Sequence, residues 1–444
     1  MANKPDINTL AKLEAVFSSI LLLKDSNIIK LVIGAIVANQ IDGLNAVWLL
    51  LVSSPSGGKS EILQALNDIV DSNTGRRLIY PISDMTINTF ASGQVKIGEE
   101  ASLLHKMPRG GILSFKDFTS MLSKNMEAKM EIMGQLREIY DGAYTKRTGN
   151  NRDINWHGKV GAIAGCTEVV YEHLESMSVM GDRFAMYSIE QPDRTDALKF
   201  IINATRSGQN KEELRAAVRA AVKEYTEFVL NNIEQLDLSI SEEIENEIIE
   251  ISDFCTRVRS GVIMDKKYNR VEFVPSTEMP MRLSEQLIAL ATAFVAMRKV
   301  ESGGESTSEP LANDMAILRK IAFDSIPIKR RIALKILATY AKGATTAGIA
   351  TTVGYQTPVI AGWLAQLNGL GICNREKRNG NQGDLWNLRD EYVKTMVKFE
   401  HVKVIEEKLE DEGLTEADLI DAQIANDEEI MKSKEEAEKA WGRW

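Results

Sequence analysis

The apolar run Ala46–Val52 leads directly into Ser53-Ser54-Pro55-Ser56-Gly57-Gly58-Lys59-Ser60, and then into Glu61–Val70, where apolar residues recur at helical spacing. A short, continuous apolar run suits a strand buried on both faces of a parallel sheet. Strand, glycine-containing loop and helix in that order constrain the chain more than any other feature. From Gly58 onward the loop fits the phosphate-binding pattern G-x-x-x-x-G-K-[ST], with Ser53 where the first glycine is expected. Gly57 and Gly58 let backbone N–H groups approach phosphates without a Cβ in the way. The helix that follows adds partial positive charge at its start. Pro55, Ser56, Gly57, Gly58, Lys59 and Ser60 are therefore the candidate nucleotide-binding residues: Lys59 reaching β- and γ-phosphates, Ser60 offering its hydroxyl to Mg²⁺. The competing reading is a chance serine-glycine turn before a helix.

The rest of the chain extends this pattern. Gly111–Phe115, Lys159–Cys166 and Phe184–Ile189 read as further buried strands, and residues 117–141 as helix. Residues 75–115 alternate short apolar runs with turn residues. Strands alternating with helices predict an α/β fold with a parallel sheet flanked by helices. Residues 1–44 are predicted helical, and their dense apolar content (Ile28, Ile29, Leu31, Val32, Ile33) requires packing against a core. The expected divisions are a helical segment at 1–44, a sheet-bearing core at 45–192, helices at 193–301, a linker and helix at 302–324, a winged helix at 325–392 and an acidic helical tail at 393–444.

A length of 444 residues accommodates several domains, and a formal charge of −10 argues against a uniformly basic DNA-coating protein. Cys166, Cys255 and Cys373 lie far apart; with four histidines they support neither a four-cysteine zinc site nor a disulfide framework, and reduced thiols are expected. No signal-peptide pattern opens the sequence, and its apolar runs fall well below the ~18 residues of a membrane span. A soluble cytoplasmic protein is the expectation.

A phosphate-binding loop that hydrolyses its ligand needs a carboxylate at the end of a neighbouring strand. The segment Gly110–Phe118 supplies Lys116-Asp117 where two acids are usual. Asp117 is left to hold Mg²⁺, to polarise water, or both, unless it is an ordinary turn aspartate. A lysine beside Mg²⁺ is electrostatically unfavourable, so Lys116 is expected to turn away.

Four stretches together resemble the AAA+ ATPases, most of all the group holding the minichromosome-maintenance helicases and related phage or mobile-element ATPases. They are the loop at 53–60; Phe115-Lys116-Asp117-Phe118-Thr119-Ser120-Met121; the region from Leu136-Arg137-Glu138 through Val160–Thr167 to Gly181-Asp182-Arg183-Phe184; and Met281-Arg282-Leu283-Ser284-Glu285-Gln286-Leu287-Ile288. The likeness covers roughly residues 45–300 and departs from the group at Ser53 and Lys116. It implies a helical lid after the AAA+ core, a pre-sensor-1 hairpin, Thr167 as the sensor-1 residue on the γ-phosphate side, Arg183 as an arginine finger and Arg282 as a sensor-2 residue. The less specialised readings are a surface arginine at 183, and at 282 an ion pair with Glu278 or Glu285. The zinc-bearing amino-terminal domain of those helicases is expected to be absent, since three cysteines cannot build it.

Two regions suggest contact with nucleic acid. Tyr144–Trp156 reads as a hairpin carrying Lys146, Arg147 and Arg152 near its tip, suited to gripping phosphates without reading sequence. Residues 325–389 read as three helices and a wing around Asn379–Gly383, with Arg375, Lys377 and Arg378 on the wing. Nine basic residues there oppose Glu376 and Asp384. The alternatives are a solvated turn for the hairpin and a protein-contact role for the winged helix. The tail from His401 carries fourteen acidic against six basic residues; it is a solvated helix, a docking segment for a replication partner, or a competitor for a basic groove.

The expected protein is an ATP- and Mg²⁺-dependent motor that forms a ring, a hexamer by resemblance, and moves DNA in phage or mobile-element replication. A phage origin would place it in the bacterial host cytoplasm. The alternatives are an ATP-binding initiator, loader or scaffold without motor activity, which Lys116 favours, and a winged-helix transcriptional regulator.

Overall fold

In chain order the computed structural model runs α1 (Leu10–Phe17), α2 (Asn27–Gln40), β1 (Trp48–Val52), α3 (Lys59–Ala65), β2 (Ile79–Ile82), α4 (Leu103–Lys106), β3 (Gly110–Phe115), α5 (Thr119–Leu122), α6 (Met126–Tyr140), β4 (Ala143–Arg147), β5 (Asp153–His157), β6 (Lys159–Cys166) and β7 (Ala185–Ser188). It continues with α7 (Arg194–Arg206), α8 (Lys211–Leu230), α9 (Glu242–Arg259), β8 (Ile263–Asp265), β9 (Arg270–Phe273), α10 (Met281–Glu301) and α11 (Ala312–Asp324). It closes with α12 (Ile328–Thr339), β10 (Ala344–Thr345), α13 (Thr346–Val353), α14 (Thr357–Gly369), β11 (Cys373–Glu376), β12 (Leu385–Leu388) and α15 (Asp390–Lys398). The structure describes residues 7–399 apart from 72–73, 92–102, 108–109, 148–152, 172, 174–182, 207, 209, 235, 266–269 and 379–382. Arg152, Gly181-Asp182, the turn 379–382 and the acidic tail from residue 400 lie outside the described residues.

The chain divides into two compact units. The first comprises Met1–Pro192, Ala197–Ile248 and Met281–Ile321; the second comprises Asp193–Asp196, Ile249–Pro280 and Ala322–Trp444.

In the first unit, β1 pairs in parallel with β6 on one side and β7 on the other, within a five-stranded sheet of order β2-β3-β6-β1-β7. The β2–β3 and β3–β6 pairs are parallel as well. All five β1 residues are buried, as a central parallel strand requires. The edge strand β2 includes Pro81, which an edge position tolerates because only one side of the strand is paired. Helices cover the sheet. In α2, Ile28 through Asn39 are buried except Lys30, and the helix packs on β6 and α10. Asn39 locks α2 to the start of β1: its Nδ2 donates to the carbonyls of Ala35 and Val47, and its Oδ1 accepts from the Val47 N–H at 3.0 Å. From α10, the buried Gln286 accepts from the Trp48 N–H and donates to the Arg183 carbonyl. All three cysteines are buried and free. No helix among the described residues is long and apolar enough to cross a membrane.

In the second unit, α12, α13 and α14 pack beside a three-stranded antiparallel sheet of order β10-β12-β11. Gly354, in the left-handed conformation, ends α13. The hairpin β8–β9 falls where the helical pattern of 194–298 breaks, near Asp265–Pro280, and packs on α14, where Gly369 leaves room for Val271. Two of the nine basic residues counted towards a DNA-facing surface are interior. Arg331 pairs with Asp324, and Arg330, 2% exposed, donates from Nη1 to the carbonyls of Val258 (2.7 Å) and Ser260 (2.6 Å) and from Nε to Gln366. These carbonyls belong to the end of α9, so Arg330 caps a helix rather than facing a ligand. Replacing Arg330 with Met is expected to destabilise the second unit by about 3 kcal/mol, since buried carbonyls lose a charged donor. Denaturant unfolding followed by near-ultraviolet circular dichroism measures this, and an unchanged midpoint would contradict the capping role.

Candidate functional site

Register brings the chemistry to one edge of the first unit. Val52 is level with Cys166 on β6 and Ser188 on β7. The Ser53 N–H donates to the Cys166 carbonyl, and the Phe118 N–H donates to the Gly165 carbonyl. The carboxyl ends of β1, β3 and β6 are thereby clamped together, the usual place for a ligand in an open parallel sheet. A cavity of about 800 Å³ opens there, lined by Pro55 through Glu61, Lys116, Asp117, Thr167 and Lys211 among others. Ile20–Leu23 and, on α7, Phe200 and Ile201 give it an apolar side.

The loop is tightly built. Gly58 has φ +84°, and a Cβ there would meet the Leu21 side chain at 2.7 Å. Ser56 has φ +64°, a left-handed backbone that costs a serine roughly 1 kcal/mol. Ser53, where the pattern has glycine, fills the space under Gly57: a Cβ on Gly57 would lie 2.5 Å from the Ser53 Oγ. The Lys59 ammonium is buried and donates to three loop oxygens: the Ser53 carbonyl (2.8 Å), the Ser53 Oγ (2.7 Å) and the Ser54 carbonyl (2.9 Å). Burial lowers its pKa, opposed by the Cys166 thiol and the carboxylates of Asp117 and Glu168.

Asp117 is exposed on the cavity wall, where its Oδ1 accepts from the Thr119 N–H at 2.9 Å. The Thr119 hydroxyl lies 3.2 Å from that of Thr167 and accepts from the Thr167 N–H. Asp117 and Thr167 thus sit on one short hydrogen-bonded path across the ends of β3 and β6. Lys116 is exposed and also lines the cavity. Ser60 and Asp117 are oxygen donors on one cavity, a set that suits Mg²⁺, which takes one or two protein oxygens alongside phosphate and water. No group of three or more histidine, cysteine or acidic side chains placed to hold a metal occurs among the described residues.

Arg183 and Arg282 are not on this cavity's wall. Arg183 is buried, ion-paired to Asp141 at 3.1 Å, with its guanidinium 5.5 Å from the centre of the Tyr140 ring. Burial lowers its pKa, the Asp141 hydrogen bond opposes this, and the Arg282 charge adds to the lowering, so the two arginines share a neighbourhood. Burial pushes the Tyr140 hydroxyl up to about 12. Glu278, one ion-pair partner considered for Arg282, is held by Arg259 through two hydrogen bonds.

The hairpin forms as β4 and β5, with Tyr144, Ile154 and Trp156 buried. Strand alternation puts Lys146 on the same face as Tyr144, and its ammonium donates to the Ala91 carbonyl. Arg147 points outward, its side chain 87% exposed. In the second unit, Arg375 lies over Trp386 and bonds Asp384, Arg378 donates to the Gly383 carbonyl, and Lys377 is exposed.

The sequence reading missed the basic stripe Lys211, Arg215 and Arg219 on α8. The i, i+4, i+8 spacing places all three on one helical face, opposite Glu61 and Asp68. No protein-family model matches this sequence, and no curated protein matches it.

Proposed function

We propose that this chain is an ATPase of the AAA+ type that acts on DNA. The convergence of the 53–60 loop, Asp117 and Thr167 on one cavity at the carboxyl edge of the parallel sheet carries this reading. The strand order, with the loop-bearing strand between β6 and β7, supports the AAA+ assignment.

In the mechanism, loop N–H groups and Lys59 bind the phosphates, and Lys59 exchanges the Ser53 and Ser54 oxygens for phosphate oxygens. Ser60 and Asp117 would hold Mg²⁺, and the ion would supply charge stabilisation to the phosphates. Thr167, fixed through Thr119, orients the attacking water or the γ-phosphate. Arg282 is the sensor-2 candidate, and Arg183, buried against Asp141 and Tyr140, serves a neighbouring subunit's nucleotide in a ring only if it leaves that pair. The outward hairpin arginine and the winged helix of the second unit, through Arg375, Lys377 and Arg378, grip the DNA backbone.

The second reading is an ATP-binding switch without turnover. It is favoured by Lys116, which stands where an acid is usual beside Asp117. ATP turnover with and without single-stranded DNA separates the two. The motor reading expects Mg²⁺-dependent turnover stimulated severalfold by DNA, and about a hundredfold less in Asp117→Asn, in which one metal-holding carboxylate is lost. ATP binding without turnover under any DNA condition would leave the switch standing and the motor refuted.

A further inference from the structure

Lys211 belongs to the cavity wall, yet it lies about 150 residues from the phosphate loop in sequence. Its position comes from α8. Asn210 caps that helix by accepting from the Glu212 N–H, and Arg215 and Arg219 tie it to Glu61 and Asp68. Arg215 grips the Glu61 carboxylate with two hydrogen bonds, Nε to Oε2 at 2.9 Å and Nη2 to Oε1 at 2.5 Å. The fork satisfies the carboxylate. Lys211 stands at the end of the same stripe, 3.5 Å from Glu61 Oε1, with its side chain 66% exposed. Glu61 is therefore held chiefly by Arg215, and Lys211 is its looser third partner. Glu61 directly follows Ser60 and also lines the cavity, so Lys211 is poised where a nucleotide's phosphates would enter.

We propose that Lys211 is a phosphate-binding residue supplied from α8 to its own chain's nucleotide, kept beside the loop by Glu61 until an anion recruits it. This rests on the nucleotide reading given above. The exchange costs little. The Lys211 end of the pair is largely exposed, so solvent screens it and it contributes little, and Glu61 keeps its Arg215 fork when Lys211 leaves. The Arg215 hydrogen bond first, with Lys211 charge and hydrogen bonding behind it, holds the Glu61 carboxyl below its usual range, so it stays ionised at neutral pH. The ligand class is a nucleoside polyphosphate, whose charge Lys211 reads and whose base it does not.

Calorimetric titration of the full chain with Mg-ATP tests this. The parent chain is measured first, and failure to bind ATP would remove the nucleotide reading itself. With binding established, Lys211→Ala is expected to raise Kd about five- to tenfold, and Lys211→Arg to restore it to within about twofold. An unchanged Kd in folded Lys211→Ala would overturn the proposal while leaving the reading intact. A second readout needs no substitution: in the parent chain, saturating ATP should slow reductive methylation of Lys211, read by mass spectrometry, whereas adenosine should not. Equal rates with ATP and with adenosine would overturn it as well.

Discussion

Replacing Lys59 with Ala is expected to raise the Kd for Mg-ATP by about a hundredfold or more and to bring turnover to background. Two losses combine. The variant lacks the one ammonium that the loop itself encloses, and charged hydrogen bonds to phosphate are worth roughly 1.5–3 kcal/mol each. It also strands the Ser53 carbonyl, the Ser53 hydroxyl and the Ser54 carbonyl, which share that ammonium in the folded chain. The loop therefore loses shape as well as charge. Calorimetry beside far-ultraviolet circular dichroism separates a binding defect from unfolding. A folded Lys59→Ala chain that takes up ATP as the parent does would refute the nucleotide reading.

The second large effect is structural. Gly110 opens β3 at φ +101°, and a Cβ built there falls 1.8 Å from the Lys159 carbonyl oxygen, a backbone atom that cannot swing aside. Gly110 pairs with Lys159 in the β3–β6 register, so the collision falls within the sheet that carries Asp117 and Thr167. Gly110→Ala is expected to cost about 4 kcal/mol or more, combining a forbidden backbone region with a main-chain clash. Gly134, inside α6 with open space around its missing Cβ, is the internal comparison. Gly134→Ala should stabilise by about 0.5–1 kcal/mol. Equilibrium unfolding in urea reads both, and a Gly110→Ala chain as stable as the parent would mean the β3–β6 pairing is misplaced.

What could be read from the sequence follows from how local each signal is. β1, β3 and β6 are legible because strands buried on both faces are continuous apolar runs. β2 is not, because four residues including Pro81 at a sheet edge carry neither alternation nor length. Lys59 is legible as a candidate because the loop it belongs to is contiguous in sequence and supplies its partners, Ser53 and Ser54. Lys211 is not, because its partner Glu61 is distant in sequence, and only the packing of α8 on α3 joins them. Charge counting treats all basic residues alike, so it credited Arg330 and Arg331 to a surface when both are interior. The alternation of β4 could have separated Lys146 from Arg147, since Tyr144 and Lys146 must share a face. Arg183 is a different case. Its pairing with Asp141 and Tyr140 depends on how α6 ends beside β7's approach, which nothing in the motif around it encodes.

The placement of α2 has a consequence for how the chain is made. This helix leaves the ribosome ahead of the surfaces that bury it, on β6 and α10, which follow more than a hundred residues later. At roughly 5–20 residues per second, an almost wholly apolar segment stays without its native neighbours for about ten seconds or longer. Nascent chains of this protein should therefore engage holdase chaperones from their first exposed turns, and yield in the cell should depend on them more than the stability of the finished fold would suggest.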